Sequence, residues 1–160
     1  DIVALLCVQP ARTGGESLVV SGATVHEELR KTNIKALTIL YHEFIRDIVT
    51  PGAGKTLDAL INNRFPVFSH GLYSSELSFR YMRFWIEKGH QEAKADLEQT
   101  DLDALDTLDG LLESPQLAGR FKLNAGDQLW VNNHIVAHNR TEYEEAPQRP
   151  RHFVRMWIST

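Results

Sequence analysis

The apolar positions of this chain change their spacing along its length, and that spacing predicts most of its elements. Ile2 to Val8 (IVALLCV) is an unbroken apolar run of strand length, which predicts a strand buried on both faces. Pro10 to Ser17 (PARTGGES) reads as a turn with its corner at Gly14-Gly15. Leu18-Val19-Val20 resumes an extended run. Ser21 or Thr24 then opens a helix, with Thr24 and Glu27 spaced as a capping box. Leu37 to Ile48 reads as a helix, Thr50 to Thr56 as a loop, and Pro66-Val67-Phe68 as a short strand. Leu77 to Lys88 fits strand or helix, with alternation favouring a strand at its start. Leucines at 102, 105, 108, 111 and 112, backed by acidic residues, predict a surface helix over Asp101 to Glu113. From Phe121 the pattern returns to β. A Gly126-Asp127 turn is followed by a strand from Gln128 to Val136 and another over His152 to Ile158.

Composition narrows the class without naming it. The 160 residues are 42% apolar and 24% charged, which suits one globular domain over 1–160. The net charge is −4 and the basic residues are scattered, so no concentrated basic stripe for nucleic acid is present. No apolar run nears the roughly 20 residues that cross a bilayer. Cys7 is the only cysteine, which excludes an internal disulfide and Cys-rich zinc sites and fits a reducing, cytoplasmic setting. A strand pattern starting at Ile2, without an initiator Met or a basic leader, points to a processed or truncated chain.

Several residues offer chemistry. Gly54-Lys55-Thr56 resembles the end of a P-loop, but the glycine that should open the phosphate cradle is Val49. His26-Glu27-Glu28 and His90-Gln91-Glu92 each hold a His-x-carboxylate pair. The first sits in an expected helix, where residues two apart diverge, and the second in a polar stretch. Both histidines read as solvated surface residues. His134 and His138 have zinc-helix spacing, yet their neighbours are β formers. On a strand they stand ~13 Å apart, so at most one ligates a given metal. Arg151 and Arg155 share a face of the last strand. They suit either structural salt bridges or the bidentate grip of a ligand carboxylate.

A resemblance joins these features. Gly126-Asp127, Asn133, His138-Asn139-Arg140-Thr141 and Arg151-His152-Phe153-Val154-Arg155-Met156-Trp157 resemble the C-terminal half of the taurine dioxygenase family. Pro10-Ala11-Arg12-Thr13-Gly14-Gly15-Glu16-Ser17, followed by Ser21-Gly22, is similar to that family's turn just after its first metal motif. These are Fe(II)- and 2-oxoglutarate-dependent oxygenases. The resemblance implies a mainly β fold with flanking helices, a double-stranded β-helix (jelly-roll), here N-terminally incomplete and forming the C-terminal two-thirds of a larger catalytic domain. It implies that His138 is the distal iron ligand, and that Arg151 and Ser17 bind the distal carboxylate of 2-oxoglutarate. Arg155 falls where some members hold an anionic substrate, and Asn133 where a residue supports the site from behind. The family's His-x-Asp/Glu pair belongs shortly before residue 1, and neither internal His-x-Glu stands in its place.

The expected activity is hydroxylation of an unactivated C–H bond in a small amino-acid-like or natural-product substrate. Iron and 2-oxoglutarate activate O2, and no nucleic acid or membrane takes part. A homo-oligomer is left open. The competing class is a non-catalytic jelly-roll module that binds a carboxylate ligand. A zinc hydrolase would need a helix around His134.

Overall fold

The computed structural model describes residues 1–49, 52, 54–71 and 76–159. In chain order its elements are β1 (Ile2–Gln9), β2 (Thr13–Gly14), β3 (Ser17–Ser21), α1 (Gly22–Thr32), α2 (Ile34–Leu40), β4 (Phe44–Ile45), α3 (Leu57–Asn62), β5 (Arg64–Phe65), β6 (Phe68–His70), β7 (Leu77–Phe79), α4 (Arg83–Ala93), α5 (Gln99–Leu112), β8 (Gly119–Phe121), β9 (Gln128–Asn132), β10 (Val136–Arg140), β11 (Tyr143–Glu144) and β12 (His152–Ile158). The chain is mainly β, with helices packed on one side.

Two three-stranded antiparallel sheets position the residues of interest. In the first, β1 runs between β12 and β9; in the second, β3 runs between β10 and β8. The strand expected from Gln128 to Val136 is instead two strands in different sheets. Asn132 Oδ1 accepts from the His134 amide at 3.1 Å, and this side-chain turn breaks the apolar alternation at Asn133. The Asn133 amide donates to the Asp1 carbonyl at 3.0 Å, which fastens the corner to the start of β1.

Residue alternation sorts the faces of the second sheet. Val20 and Ala137 are cross-strand partners and pack on a core formed by Val25 and Leu29 of α1, Leu37 and Leu40 of α2, and Leu105 and Leu108 of α5. Ser17, Val19, His138 and Arg140 therefore leave the opposite face. Residues 2–8 form the expected strand, but its burial is uneven: Val3 and Cys7 are wholly buried, while Val8 is exposed.

Other expectations need correction. The helix expected over Leu37–Ile48 ends at Leu40, because Phe44-Ile45 pair with Arg64-Phe65 as strands. Ser21, not Thr24, caps α1, its hydroxyl accepting from the Thr24 amide at 3.3 Å. The ambiguous 77–88 stretch is β7 followed by α4. Within the expected loop of 50–56, positions 50, 51 and 53 lie outside the described residues. Lys55 is committed to Asp47 at 2.6 Å and Thr56 caps α3. Neither is free to cradle a phosphate.

The two internal His-x-Glu histidines are packed residues, not solvated ones. His26 Nε2 lies 2.8 Å from the Tyr41 hydroxyl and its ring meets Phe68 edge-on. His90 Nε2 accepts the Ile45 amide at 3.1 Å, so its Nδ1–H is the donor to the Ala95 carbonyl at 2.7 Å.

Candidate active site

The site is built where the inner faces of the two sheets turn toward each other. On β10, His138 stands directly opposite Val19, and Arg140 opposite Ser17. On the other sheet, Leu5, Arg155 and Leu129 share one rung, and Cys7 pairs with Phe153 on the same face. The Arg155 guanidinium lies close enough to His138 for its charge to act on the ring. Partial burial first, and then that charge, hold the His138 pKa below the usual imidazole value. The ring stays open to solvent on one side. An imidazole kept neutral near pH 7 is the form that ligates a metal.

Arg151 precedes β12 rather than lying within it. A bulge between Cys7 and Gln9 sets the register where it enters the sheet. Its guanidinium carbon sits 3.8 Å from the centroid of the Phe153 ring and 5.2 Å from that of Tyr143. Gly15 closes the pocket's wall: a Cβ built there would lie 3.7 Å from Arg151 Nε and 3.1 Å from the Ala11 Cβ. Both Gly14 and Gly15 adopt positive φ, and a Cβ on Gly14 would collide with the Glu142 carbonyl oxygen at 2.2 Å. The glycine pair is thus required both by conformation and by close approach.

Arg151 Nε is fully buried and has no hydrogen-bond partner among the described residues. Burial, then the charge of Arg140, pulls the Arg151 pKa below its ordinary value. An orphaned buried guanidinium nitrogen is costly, and an anionic ligand would satisfy it. Ser17 is buried and, among the described residues, its hydroxyl makes no hydrogen bond. Arg155 likewise has no ion pair among the described residues, so of the two uses open to these arginines the structural salt bridge is not made there.

The structure brings His138 and Arg155 together, with Ser17 two positions from Val19 on the same face. Asn133 is in the β9–β10 corner, and no hydrogen bond among the described residues joins its side chain to His138. No cluster of three His, Cys, Asp or Glu able to hold a metal occurs among the described residues. The donors present therefore fit a carboxylate at Arg151, and fit iron at one imidazole. Sequence reasoning missed the surroundings of Arg151, namely Tyr143, Gly15 and Arg140. For Arg140 the signal was available, since a residue two after His138 on a strand shares its face.

The chain is 28% identical over 166 residues to FR-33289 synthase from Streptomyces rubellomurinus (strain ATCC 31215), covering 99% of this chain and 47% of that protein. It is 30% identical over 154 residues to uridine-5'-phosphate dioxygenase from a Streptomyces species, covering 94% and 53% respectively. The chain thus spans about half the length of the curated relatives it matches. In fold it is similar to asparagine oxygenase solved with Fe(II), 2S,3S-3-hydroxyasparagine and succinate (TM-score 0.66, 19% identity, 97% of this chain and 44% of that one). It is also similar to the non-heme iron oxygenase OrfP (TM-score 0.63, 14% identity, 99% and 47%). No helix among the described residues is long and apolar enough to cross a membrane. The model for the family described as taurine catabolism dioxygenase TauD, TfdA family, matches residues 1–157, and the chain belongs to that family.

Proposed function

We propose that this chain carries the distal half of the active site of an Fe(II)- and 2-oxoglutarate-dependent oxygenase that hydroxylates a small, anionic, amino-acid-like or natural-product substrate. The observation that carries this reading is the buried, unpartnered Nε of Arg151, together with a histidine kept neutral. In this reading the two sheets are the halves of a jelly-roll, and residues 1–160 are one part of a larger catalytic domain. Membership of the family and the named relatives support both points.

Each residue has a separate task. His138 offers a neutral imidazole nitrogen to iron, and a complete site needs two further ligands beyond the described residues. Arg151 holds the distal carboxylate of 2-oxoglutarate, its rotamer fixed by the rings of Phe153 and Tyr143 and by the backbone of Gly15. The Ser17 hydroxyl donates to the same carboxylate. Arg155, beside His138, faces the anionic group of the substrate, and Asn133 fixes the corner that carries β10. Bound iron and 2-oxoglutarate supply the activation of O2, with succinate and CO2 as co-products. Val3 and Val131, both buried, form the next rung on the face of Arg155. The buried free thiol of Cys7 supports a reducing, cytoplasmic setting.

One observation favours a second reading. The described residues group only one metal-ligating side chain at the site, as a carboxylate-binding module without turnover would. Thermal unfolding separates the two. The oxygenase reading expects 2-oxoglutarate to raise Tm by several degrees, further with Fe(II) than without it, and Arg151→Ala to erase the shift. A shift indifferent to Fe(II) would favour the binding module. No shift at all would defeat both.

A further inference from the structure

The expected cosubstrate pocket holds one more positive charge than its assigned residues explain. Arg140 is on β10, two residues beyond His138 and directly opposite Ser17, so its side chain leaves the sheet on the face of both. Its guanidinium carbon lies 4.2 Å from the centroid of the Tyr143 ring, the same ring that Arg151 meets at 5.2 Å. Tyr143 is held there by β11, which pairs with β2 so that Tyr143 stands opposite Gly14. Neither arginine has a carboxylate within ion-pair distance among the described residues. Glu144 pairs with Arg12 at 2.7 Å and Glu16 pairs with Arg120, while Glu145 acts on Arg151 only from beyond ion-pair distance.

Two guanidiniums that repel each other and share one aromatic ring, with no direct ion pair among the described residues, form a site that can accept a further negative charge. The Tyr143 ring gives each cation a π-face in place of water.

We propose that Arg140 is a second anion-binding arm of the cosubstrate pocket, acting with Arg151 on the distal carboxylate of a dicarboxylate. This rests on the assignment of Arg151 to 2-oxoglutarate. It adds that the pocket uses two positive charges, which share the Tyr143 ring. Affinity should therefore fall steeply with ionic strength, and removal of either charge should flatten that dependence.

The test is anaerobic calorimetric titration of the protein with 2-oxoglutarate in the presence of Fe(II), at low and at raised salt. It compares wild type, Arg140→Gln, Arg140→Lys and Arg151→Gln, each first checked for an unchanged unfolding midpoint. The expected result is a roughly tenfold weaker Kd for Arg140→Gln with a shallower salt dependence, substantial recovery in Arg140→Lys, and near-complete loss in Arg151→Gln. Wild-type affinity and salt dependence in Arg140→Gln, with loss in Arg151→Gln, would overturn the second arm and leave the oxygenase reading standing. Unchanged binding in Arg151→Gln, or none in wild type, would overturn the assignment on which the proposal rests. An unfolding midpoint lowered in Arg140→Gln but restored in Arg140→Lys would keep the comparison on the lysine variant and on its salt dependence. Equal salt dependence in wild type and Arg140→Lys is then expected, and a flat response in both contradicts a two-charge pocket.

Discussion

Gly15 stands against Arg151: a Cβ on Gly15 would make ordinary contact with Arg151 Nε at 3.7 Å and with the Tyr143 Cβ at 3.4 Å, and would press the Ala11 Cβ at 3.1 Å. The φ of Gly15 is also +70°, a region that costs any L side chain. Gly15→Ala is expected to lose about 1–2 kcal/mol of stability from conformation alone. It should also weaken 2-oxoglutarate binding, because strain at this position shifts the turn that backs Arg151. Denaturant unfolding and ligand titration of the same variant check both effects. Full affinity in a destabilised Gly15→Ala would mean that the wall does not position Arg151.

Two helical glycines should respond to alanine with opposite signs. In α4, a Cβ on Gly89 would fall 2.6 Å from the Arg46 carbonyl carbon and 2.7 Å from the Asp47 amide nitrogen. Those are backbone atoms that cannot move aside as a side-chain tip can. Crowding of this kind costs about 1–3 kcal/mol, occasionally more, and outweighs the gain of about 1 kcal/mol that alanine brings to a helix. Gly110 in α5 is exposed, with nothing within 4 Å of the same position. Gly110→Ala should raise the unfolding midpoint and Gly89→Ala should lower it, as calorimetry of the pair would read out.

His90 ties α4 to β4 by taking the Ile45 amide and giving its other ring N–H to the Ala95 carbonyl. His90→Ala leaves both backbone groups without those partners and should cost about 1–3 kcal/mol. Iron-dependent binding in the surviving folded fraction should be unchanged, because His90 is spent on structure. A loss of iron affinity at unchanged stability would contradict this assignment.

Stability should rise with pH across the imidazole range. Burial first, then the charge of His70, lowers the His26 pKa in the folded chain. Below the ordinary value of about 6.5 the unfolded chain therefore holds more protons than the folded one. The linked stability is complete above that value and is lost as pH falls toward and through the depressed one. His26→Gln, which retains a partner for the Tyr41 hydroxyl, should flatten the dependence of Tm on pH over that window. An unchanged slope would place the linkage on other groups.

The sheet that carries the site was legible where one physical signal ruled. The unbroken apolar run at Ile2 and the β formers of His152–Ile158 mark strands by composition, and α5 follows from its leucine spacing. The misread stretches are those where distant partners decide. Phe44-Ile45 continues an apolar helical pattern and becomes strand only because Arg64-Phe65 pairs with it. The β9–β10 corner was hidden because β formers run on both sides of it, although Asn132-Asn133-His134 held the turn chemistry. His138, Arg151, Arg155 and Ser17 came from a resemblance, and residue chemistry alone left Arg151 divided between a salt bridge and a ligand. The empty ion-pair partnership of Arg151 is a property of three-dimensional placement, so no spacing in the chain could reveal it. The same holds for the packing of His26 and His90, whose polar neighbours in sequence are not their neighbours in space.

The most direct test is anaerobic addition of Fe(II) and 2-oxoglutarate to the intact protein, with all three iron ligands present, while recording the visible spectrum. A charge-transfer band that forms in the wild type, and is lost in both His138→Ala and Arg151→Ala, is the expected result for an oxygenase site built on those two residues. A wild-type protein that binds 2-oxoglutarate but gives no band, or a band that survives in His138→Ala, would contradict it.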